Sequence, residues 1–432
     1  MKPSEPAPQQ LQRVVGLPGA VTLGLGSILG TGVFVSLLFA VQLAGEWALL
    51  SVTIAAGLAV CNGLSSAQLA ASHPVSGGAY EYGYRYLTPA LGFNAGWMFL
   101  IAKGASAATA ALAFSECIRQ VIPATQYFDV RILAGVTIAT ATALVLSGVR
   151  RSVRVNAAIV GLVLLSLIIF VIAAWSDRML TLTFEAAEFS YQNVFHATAL
   201  CFVAYTGYGR VATMGEEIRD PSRNIPRAVI ATLVATFLVY IVVATAVVAA
   251  VSTSPGLIIA DSTRSLGELL AASHANSVVV TFVRTGSMVA MFGVLLNLVL
   301  GLSRVALAMA RRCDLPSSLA KLSSHGQSPQ RAVLLVAVVI GCLTLVGDLF
   351  RTWSISAFAV LIYYATANLC ALRQPTEERL YPRFVPAVGF CGCLCVIPFI
   401  DLKTIAGGTL LIVSGLVVRL IAGFRKRKRP VT

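Results

Sequence analysis

Charged side chains are scarce in this chain, at 12% of its 432 residues, against roughly 25% in soluble globular proteins. Hydrophobic residues make up 57%. Long stretches such as residues 155–175 lack the polar face that a helix of a soluble protein presents to water. Water is therefore not the main solvent of the chain. The composition predicts an all-α protein embedded in a lipid bilayer.

Acidic residues are especially few, since 18 Asp and Glu oppose 32 Lys and Arg and leave a net charge of +14. Such an excess can indicate nucleic-acid binding. Here the basic residues sit in short segments between apolar runs and in the tail at residues 425–432. We therefore expect no nucleic-acid partner, and we interpret the tail as a segment held at an anionic cytosolic membrane surface.

Groups that carry out enzyme chemistry are also missing from the sequence. The four histidines form no metal-binding or catalytic pair, and the nine cysteines show no metal or redox spacing. There is no H-E-x-x-H motif and no pair of aspartates within an apolar run. These absences argue against an enzyme, a bound metal and a cofactor. A channel or a membrane-embedded sensor, built on the same fold as a transporter, remains an alternative function.

Apolar runs of about 20 residues, the length needed to span a membrane, recur along the whole chain. We predict twelve spans at 14–38, 44–71, 91–117, 132–149, 155–175, 193–214, 227–251, 277–310, 331–347, 353–372, 386–400 and 404–424. Residues 1–12 contain no apolar signal segment, and we interpret them as a cytosolic leader.

Basic residues collect in alternate connections between the predicted spans, including Arg85, Arg150, Arg151 and Arg312. By the positive-inside rule this pattern places both termini in the cytosol. We expect a multi-pass protein of the plasma membrane, which is the cell inner membrane in a Gram-negative organism.

The first predicted span is interrupted near mid-membrane by four glycines: Gly24, Gly26, Gly30 and Gly32. Each Gly lowers helix stability by about 1 kcal/mol relative to Ala. Freed backbone groups at that depth are tolerated only where they line a cavity or are buried in protein. A helix break around Gly26 and Gly30 is one interpretation. Close helix packing through the same pair, as in GxxxG motifs, is the other.

A second interruption, at Gly207 and Gly209, lies at similar depth in the sixth span. Breaks in the first and sixth helices are the sequence pointer to a transporter of two inverted five-helix repeats, with the binding site between the breaks. We assign the repeats to 13–175 and 193–372, with peripheral helices at 384–424. Broken helix ends expose N–H groups on one side and carbonyls on the other, which suits the carboxylate and ammonium of an amino acid.

Three motifs in this order resemble the amino acid, polyamine and organocation permease superfamily. The stretch 26–34, GSILGTGVF, is similar to the signature of its first helix. The segment 74–80, PVSGGAY, is similar to the loop before its third helix. Residues 202–208, FVAYTGY, followed by DPSRNIP at 220–226, resemble its sixth helix and the next loop. The resemblance covers most of the first 230 residues.

This resemblance implies a LeuT-like fold and a secondary active transporter driven by an ion gradient or by exchange. The backbone N–H groups of Thr31 and Gly32 would bind the substrate carboxylate, and Tyr208 would act as an outer lid. The ammonium would be held by the carbonyls of four residues: Ile28, Val203, Ala204 and Thr206.

The sequence departs from the superfamily in the fifth span, where many proton-coupled relatives carry a lysine and this chain has Val163. Instead, Lys103 lies eleven residues into the third span from Gly92, roughly 16 Å deep. A lysine at that depth should face the interior of the bundle. We hypothesise that Lys103 replaces the missing amine, as a proton carrier or as a fixed charge. A structural hydrogen bond to the broken helix is the alternative.

A second departure is Arg210, which follows the break of the sixth span. It either pairs with Glu216 or Glu217 in an inner gate, or reaches the cavity and adds to its positive charge. Asn297 is a candidate ion ligand or, alternatively, a hydrogen-bonding link between helices. The absence of acidic residues at mid-depth disfavours polyamines and cationic amino acids as substrates.

Together these patterns predict a transporter of neutral, possibly acidic, amino acids that couples transport to protons. An amino acid exchanger or a transporter of a related small organic solute is the alternative. We expect the protein to work as a monomer or a homodimer.

Overall fold

The computed structural model describes residues 13, 15–75, 77–147, 153–176, 188–213, 218–252, 265–272, 275–322 and 329–427. Within these ranges the regular structure is helical, apart from an isolated parallel bridge between Val15 and Ile218. The all-α prediction is confirmed for this part of the chain.

The helices have the following bounds: α1 Leu17–Ile28, α2 Leu37–Ala44, α3 Ala48–Ser72, α4 Ala79–Tyr86, α5 Pro89–Val121, α6 Val130–Leu146, α7 Val153–Ser176, α8 Tyr191–Tyr205, α9 Gly209–Thr213, α10 Pro221–Ser252, α11 Leu266–Ala272, α12 Ser277–Arg311, α13 Gln330–Val346, α14 Leu349–Arg373, α15 Phe384–Val396 and α16 Leu402–Arg427. A π-helical segment, Gly32–Ser36, leads directly into α2.

Helices lie at each of the twelve predicted span positions, and their ends are displaced by a few residues. The seventh span, for example, was placed at 227–251, whereas α10 is Pro221–Ser252. Seven helical stretches in the described residues are long and apolar enough to cross a membrane, and three shorter apolar helices accompany them. This composition supports a membrane protein that crosses the bilayer several times.

Short polar side chains start several of these helices. Thr88 accepts a hydrogen bond from the Leu91 amide, with Pro89 at the first helical position of α5. Asn276 and Asp348 accept from backbone amides at the starts of α12 and α14. Such caps satisfy N–H groups that the first turn of a helix leaves without an intrahelical partner.

Contacts between loops define two ends of the helix bundle. At the end where α1 begins, which we call the amino-terminal face, the Arg219 amide donates to the Val15 carbonyl at 2.9 Å. Arg312, at the end of α12, pairs there with Glu81 of α4. At the opposite end, the distal face, Ser265 donates to the Gln120 side chain at 3.2 Å.

The core surrounds α1 and α8. Helix α1 packs against α7 and α10, while α8 packs against α2 and α3. Helix α5 lies between α12 and α14. Helix α16 is peripheral, with side chains such as Leu402, Leu410 and Leu420 more than 60% exposed. The most apolar surfaces thus face outward, as expected for lipid contact, and the interrupted helices lie inside.

Candidate functional site at two broken helices

The first helix break lies at Leu29 and Gly30. Helix α1 ends at Ile28, and the Gly30 amide donates back to the Ile28 carbonyl at 2.9 Å, which turns the chain sharply. The Gly30 carbonyl then accepts from the amides of Val33 and Phe34, both at 3.1 Å. Gly30 is thus the first acceptor of the next helical segment. The N–H groups of Thr31 and Gly32 belong to the first turn of this segment, ahead of its first hydrogen-bond donor, Val33.

The predicted glycines divide between two roles. Gly30 lies at the break, whereas Gly26 lies in the regular part of α1. A Cβ atom on Gly26 would stand 2.6 Å from the Asn156 side chain of α7. The Asn156 amide donates to the Thr22 carbonyl at 2.8 Å. Gly26 therefore permits close packing of α7 on α1, which is the alternative that the sequence left open for this residue.

The second break replaces one turn of α-helix by a tighter turn. Helix α8 ends at Tyr205, residues Thr206–Tyr208 form a 3₁₀ turn, and α9 begins at Gly209. The Thr206 hydroxyl donates to the Val203 carbonyl at 2.6 Å. A Cβ atom on Gly209 would stand 2.7 Å from the Tyr364 hydroxyl. Tyr208, the predicted lid, is fully buried, with its ring 5.4 Å from that of Tyr364.

The two breaks touch each other. A Cβ atom on Gly207 would stand 2.6 Å from the Ser27 carbonyl oxygen and would also collide with Ile28. A Cβ atom on Gly32 would stand 3.0 Å from the Cβ atom of Ala204. Residues that the sequence assigned to one site from positions nearly 180 apart are therefore neighbours in space.

Two tyrosines that the sequence analysis did not select cap the carbonyls of these breaks. The Tyr240 hydroxyl of α10 lies 3.1 Å from the Ile28 carbonyl and 3.2 Å from the Ala204 carbonyl. The Tyr364 hydroxyl of α14 donates to the Thr206 carbonyl at 3.2 Å. A tyrosine within an apolar run could have indicated these two contacts from the sequence, because a buried tyrosine hydroxyl usually finds a hydrogen-bond partner.

A cavity of about 70 Å³, which we call the central cavity, opens beside both breaks and is lined by Ser27, Thr206 and Gly207 among others. Lys103 of α5 lies in its wall and donates to the Thr206 hydroxyl at 2.8 Å. Because about 10–15 Å³ accommodates one water molecule, the cavity has room for several waters or for part of a small solute.

Positive side chains from three helices line this cavity. Lys103 of α5 is joined by Arg210 of α9 and by Arg304 of α12, and none of the described lining residues is acidic. Arg210 approaches α12, since a Cβ atom on Gly301 would stand 3.2 Å from its guanidinium. Its predicted partners, Glu216 and Glu217, lie outside the described residues.

Asn297 and Arg304 share one face of α12 because they are seven residues, about two helical turns, apart. The Asn297 amide donates to the Gly26 carbonyl at a long 3.5 Å, and both side chains line the central cavity. This contact links α12 to α1. Arg304 was missed by the sequence analysis, although an arginine within an apolar span is itself a functional signal.

Val163, the position that lacks the lysine found in many proton-coupled relatives, is buried within α7. The amine at the breaks comes from α5 instead.

Comparison with known proteins decides the class of this site. A family model described as Amino acid permease matches residues 19–427. The chain belongs to this family. This membership confirms the resemblance of the three sequence motifs to the amino acid, polyamine and organocation permease superfamily. The permease is an amino acid transporter that crosses the membrane several times, and not an enzyme.

Its relatives differ in what they are named for. An uncharacterized transporter of Mycobacterium tuberculosis is 37% identical over 413 residues, which cover 94% of this chain and 91% of that protein. The branched-chain amino acid permease BcaP of Bacillus subtilis is 24% identical, with 95% and 93% covered. The human cationic amino acid transporter 4 is 28% identical, with 84% of this chain and 60% of that protein covered.

Proposed function

We propose that this permease is a proton-coupled symporter of neutral amino acids, which bind as zwitterions where the two helix breaks meet. The observation that carries the proposal is the contact of Gly207 with the end of α1, with Lys103 hydrogen-bonded to Thr206 of the same turn. Part of the proposal is a LeuT-like arrangement of two inverted five-helix repeats, with twelve spans and both termini in the cytosol.

Backbone groups would recognise the zwitterion. The N–H groups of Thr31 and Gly32, at the start of a helical segment, suit a carboxylate. The carbonyls of Ile28, Ala204 and Thr206 suit an ammonium group. Tyrosine hydroxyls already contact these carbonyls. The Ile28 carbonyl also accepts from the Gly30 amide, so there the ammonium would take the place of the Tyr240 hydroxyl.

The charge of the central cavity favours a neutral substrate over a cationic one. Lys103, Arg210 and Arg304 all line it, and no carboxylate is among its described lining residues. A cationic substrate would bring its second positive charge close to the Lys103 amine, and like charges repel strongly in a buried site. The charge of this lining suits a substrate such as the one in the name of the branched-chain amino acid permease better than a cationic amino acid. An acidic amino acid is the second substrate class that this lining allows.

Lys103 would carry the coupling proton. Its amine donates a hydrogen bond to the Thr206 hydroxyl, so loss of the proton from Lys103 weakens that hydrogen bond. Since Thr206 also holds the Val203 carbonyl, the charge of Lys103 is linked to the geometry of the second break.

The test is uptake by the purified full chain in liposomes, with a panel of neutral, acidic and cationic amino acids. We expect uptake of neutral amino acids to be driven by an inward proton gradient and to be indifferent to sodium. Uptake that requires sodium contradicts the role of Lys103. Uptake that requires only a counter-substrate inside the vesicle identifies an exchanger.

A variant series then tests Lys103 itself. Lys103→Met keeps most of the side-chain volume but removes the amine, and it should abolish proton-driven uptake and flatten the pH dependence of the remaining exchange. Lys403→Ala, which removes an exposed lysine at the start of α16, is the matched control and should behave as the wild type. If Lys103→Met retains the wild-type rate and pH dependence, Lys103 carries no coupling proton.

A further inference from the structure

A second cavity of about 130 Å³, which we call the distal cavity, lies between the first break and the distal face. One wall of this cavity is apolar and comes from four helices: Phe34, Leu38 and Phe39 of the segment after the break, Leu112 of α5, Met291 of α12 and Leu349 of α14. A concave apolar surface of this kind suits an aliphatic or aromatic side chain.

The polar part of the lining mostly derives from the end of α5, one helical turn beyond Leu112. Glu116 and Gln120 line it, one helical turn apart, together with Ser265. Arg119 contacts one oxygen of Glu116, Oε2, at 3.2 Å, and the Glu116 side chain is 23% exposed. Arg131, at the start of α6, adds a cation to the rim. The lining also includes Asp348, which already caps α14 and pairs with Arg351 at 3.4 Å. The polar part of the lining therefore offers the Glu116 carboxylate for an ammonium group and the Arg131 guanidinium for a carboxylate.

The two cavities lie in series along the same helices. On α5, Lys103 lines the central cavity and Leu112 the distal one, nine residues or about 13 Å apart. On α12, Val294 and Met291 line the two cavities from adjacent turns. The break of α1, where Gly30 packs against Val294, and about one turn of α12 therefore separate the two cavities.

We propose that the distal cavity is a second binding site for an amino acid with an apolar side chain, occupied before the solute enters the central cavity. The apolar wall takes the side chain, Glu116 takes the ammonium and Arg131 the carboxylate. This inference rests on the proposed function, because it assumes the same substrate in both cavities.

The binding stoichiometry of L-leucine to the purified full chain tests this proposal by equilibrium dialysis. We expect two leucines per wild-type chain. Leu112→Trp, which fills the distal cavity, should bind one, and Leu298→Trp, which fills the central cavity, should also bind one. The leucine retained by Leu112→Trp, with unchanged affinity, also shows that this variant is folded.

Two outcomes separate the failure of this proposal from that of the proposed function. If the wild type binds one leucine, and Leu298→Trp loses it while Leu112→Trp keeps it, the distal site is refuted and the central site stands. A wild type that binds no leucine overturns both.

The charge assignment has its own test. Glu116→Gln should weaken the distal site at least about tenfold, since the acceptor loses its negative charge while the ligand keeps its ammonium, and should leave the central site unchanged. Glu188→Gln, the same substitution at an exposed carboxylate outside the described lining of the distal cavity, is the control. Equal effects of the two substitutions would show that Glu116 makes no contact with the ligand.

Discussion

Replacing Tyr240 by Phe removes one hydroxyl from the meeting point of the two helix breaks. That hydroxyl has a single hydrogen and two carbonyl neighbours, Ile28 at 3.1 Å and Ala204 at 3.2 Å. Ile28 keeps the Gly30 amide as a donor, so at most one buried carbonyl loses its partner. A buried acceptor left without a donor costs about 1–3 kcal/mol. We expect Tyr240→Phe to lower the unfolding free energy of the ligand-free protein by about 1–2 kcal/mol.

The same substitution should tighten substrate binding. If the ammonium group of the substrate uses the carbonyls of Ile28 and Ala204, it no longer competes with a hydroxyl in the variant. One neutral hydrogen bond contributes about 0.5–1.5 kcal/mol, so the dissociation constant should fall about two- to tenfold. Thermal unfolding with and without L-leucine measures both effects, because ligand stabilisation of the folded state depends on the dissociation constant.

The matched control is Tyr205→Phe. Tyr205 is also fully buried, its ring lies 5.0 Å from that of Tyr240, and its hydroxyl contacts the Val52 carbonyl at 3.4 Å, away from the breaks. This control should not tighten binding. Weaker leucine binding in Tyr240→Phe would refute the competition and make the hydroxyl part of the substrate site. An unchanged unfolding free energy would refute the hydrogen bonds themselves.

Two further substitutions probe the contact between the breaks and the amino-terminal face. Gly207→Ala places a Cβ atom 2.6 Å from the Ser27 carbonyl, so we expect uptake to fall more than about tenfold and stability to drop by about 1–3 kcal/mol. Gly161→Ala, where no atom lies within 4 Å, is the control in the same assays, and equal losses in both would show that the contact is not what matters. At the amino-terminal face, the Tyr86 hydroxyl donates to Glu378 at 2.6 Å and holds the pKa of Glu378 below its usual range. This stabilisation is present above the unfolded pKa and is lost as pH falls through the lower folded pKa. Glu378→Gln should therefore lower the melting temperature at pH 7. The difference should begin to shrink below about pH 4.3 and disappear once the pH is below the lowered pKa of Glu378, and a difference that persists in stronger acid would exclude this ionisation as its cause.

Much of the fold follows from local features of the sequence. Apolar runs of spanning length predicted helices where the structure has them, because burial in lipid selects side chains residue by residue. The second break was placed within residues 205–209 for an equally local reason, since glycines there weaken a continuous helix. At the first break four glycines weaken the helix alike, so the sequence does not distinguish Gly30, at the break, from Gly26, which makes room for Asn156.

The sequence by itself determined the family and the helical class, and it predicts the approximate depth of Lys103, since motifs, hydropathy and rise per residue all act along the chain. Only the tertiary structure decided that Lys103, Arg210 and Arg304 line one cavity, that Tyr240 spans both breaks, and that a second cavity lies in series with the first. These features join residues as far apart as Ile28 and Tyr240. They depend on which faces of the helices pack together, and hydropathy does not specify that packing because apolar side chains cover nearly every face of these helices.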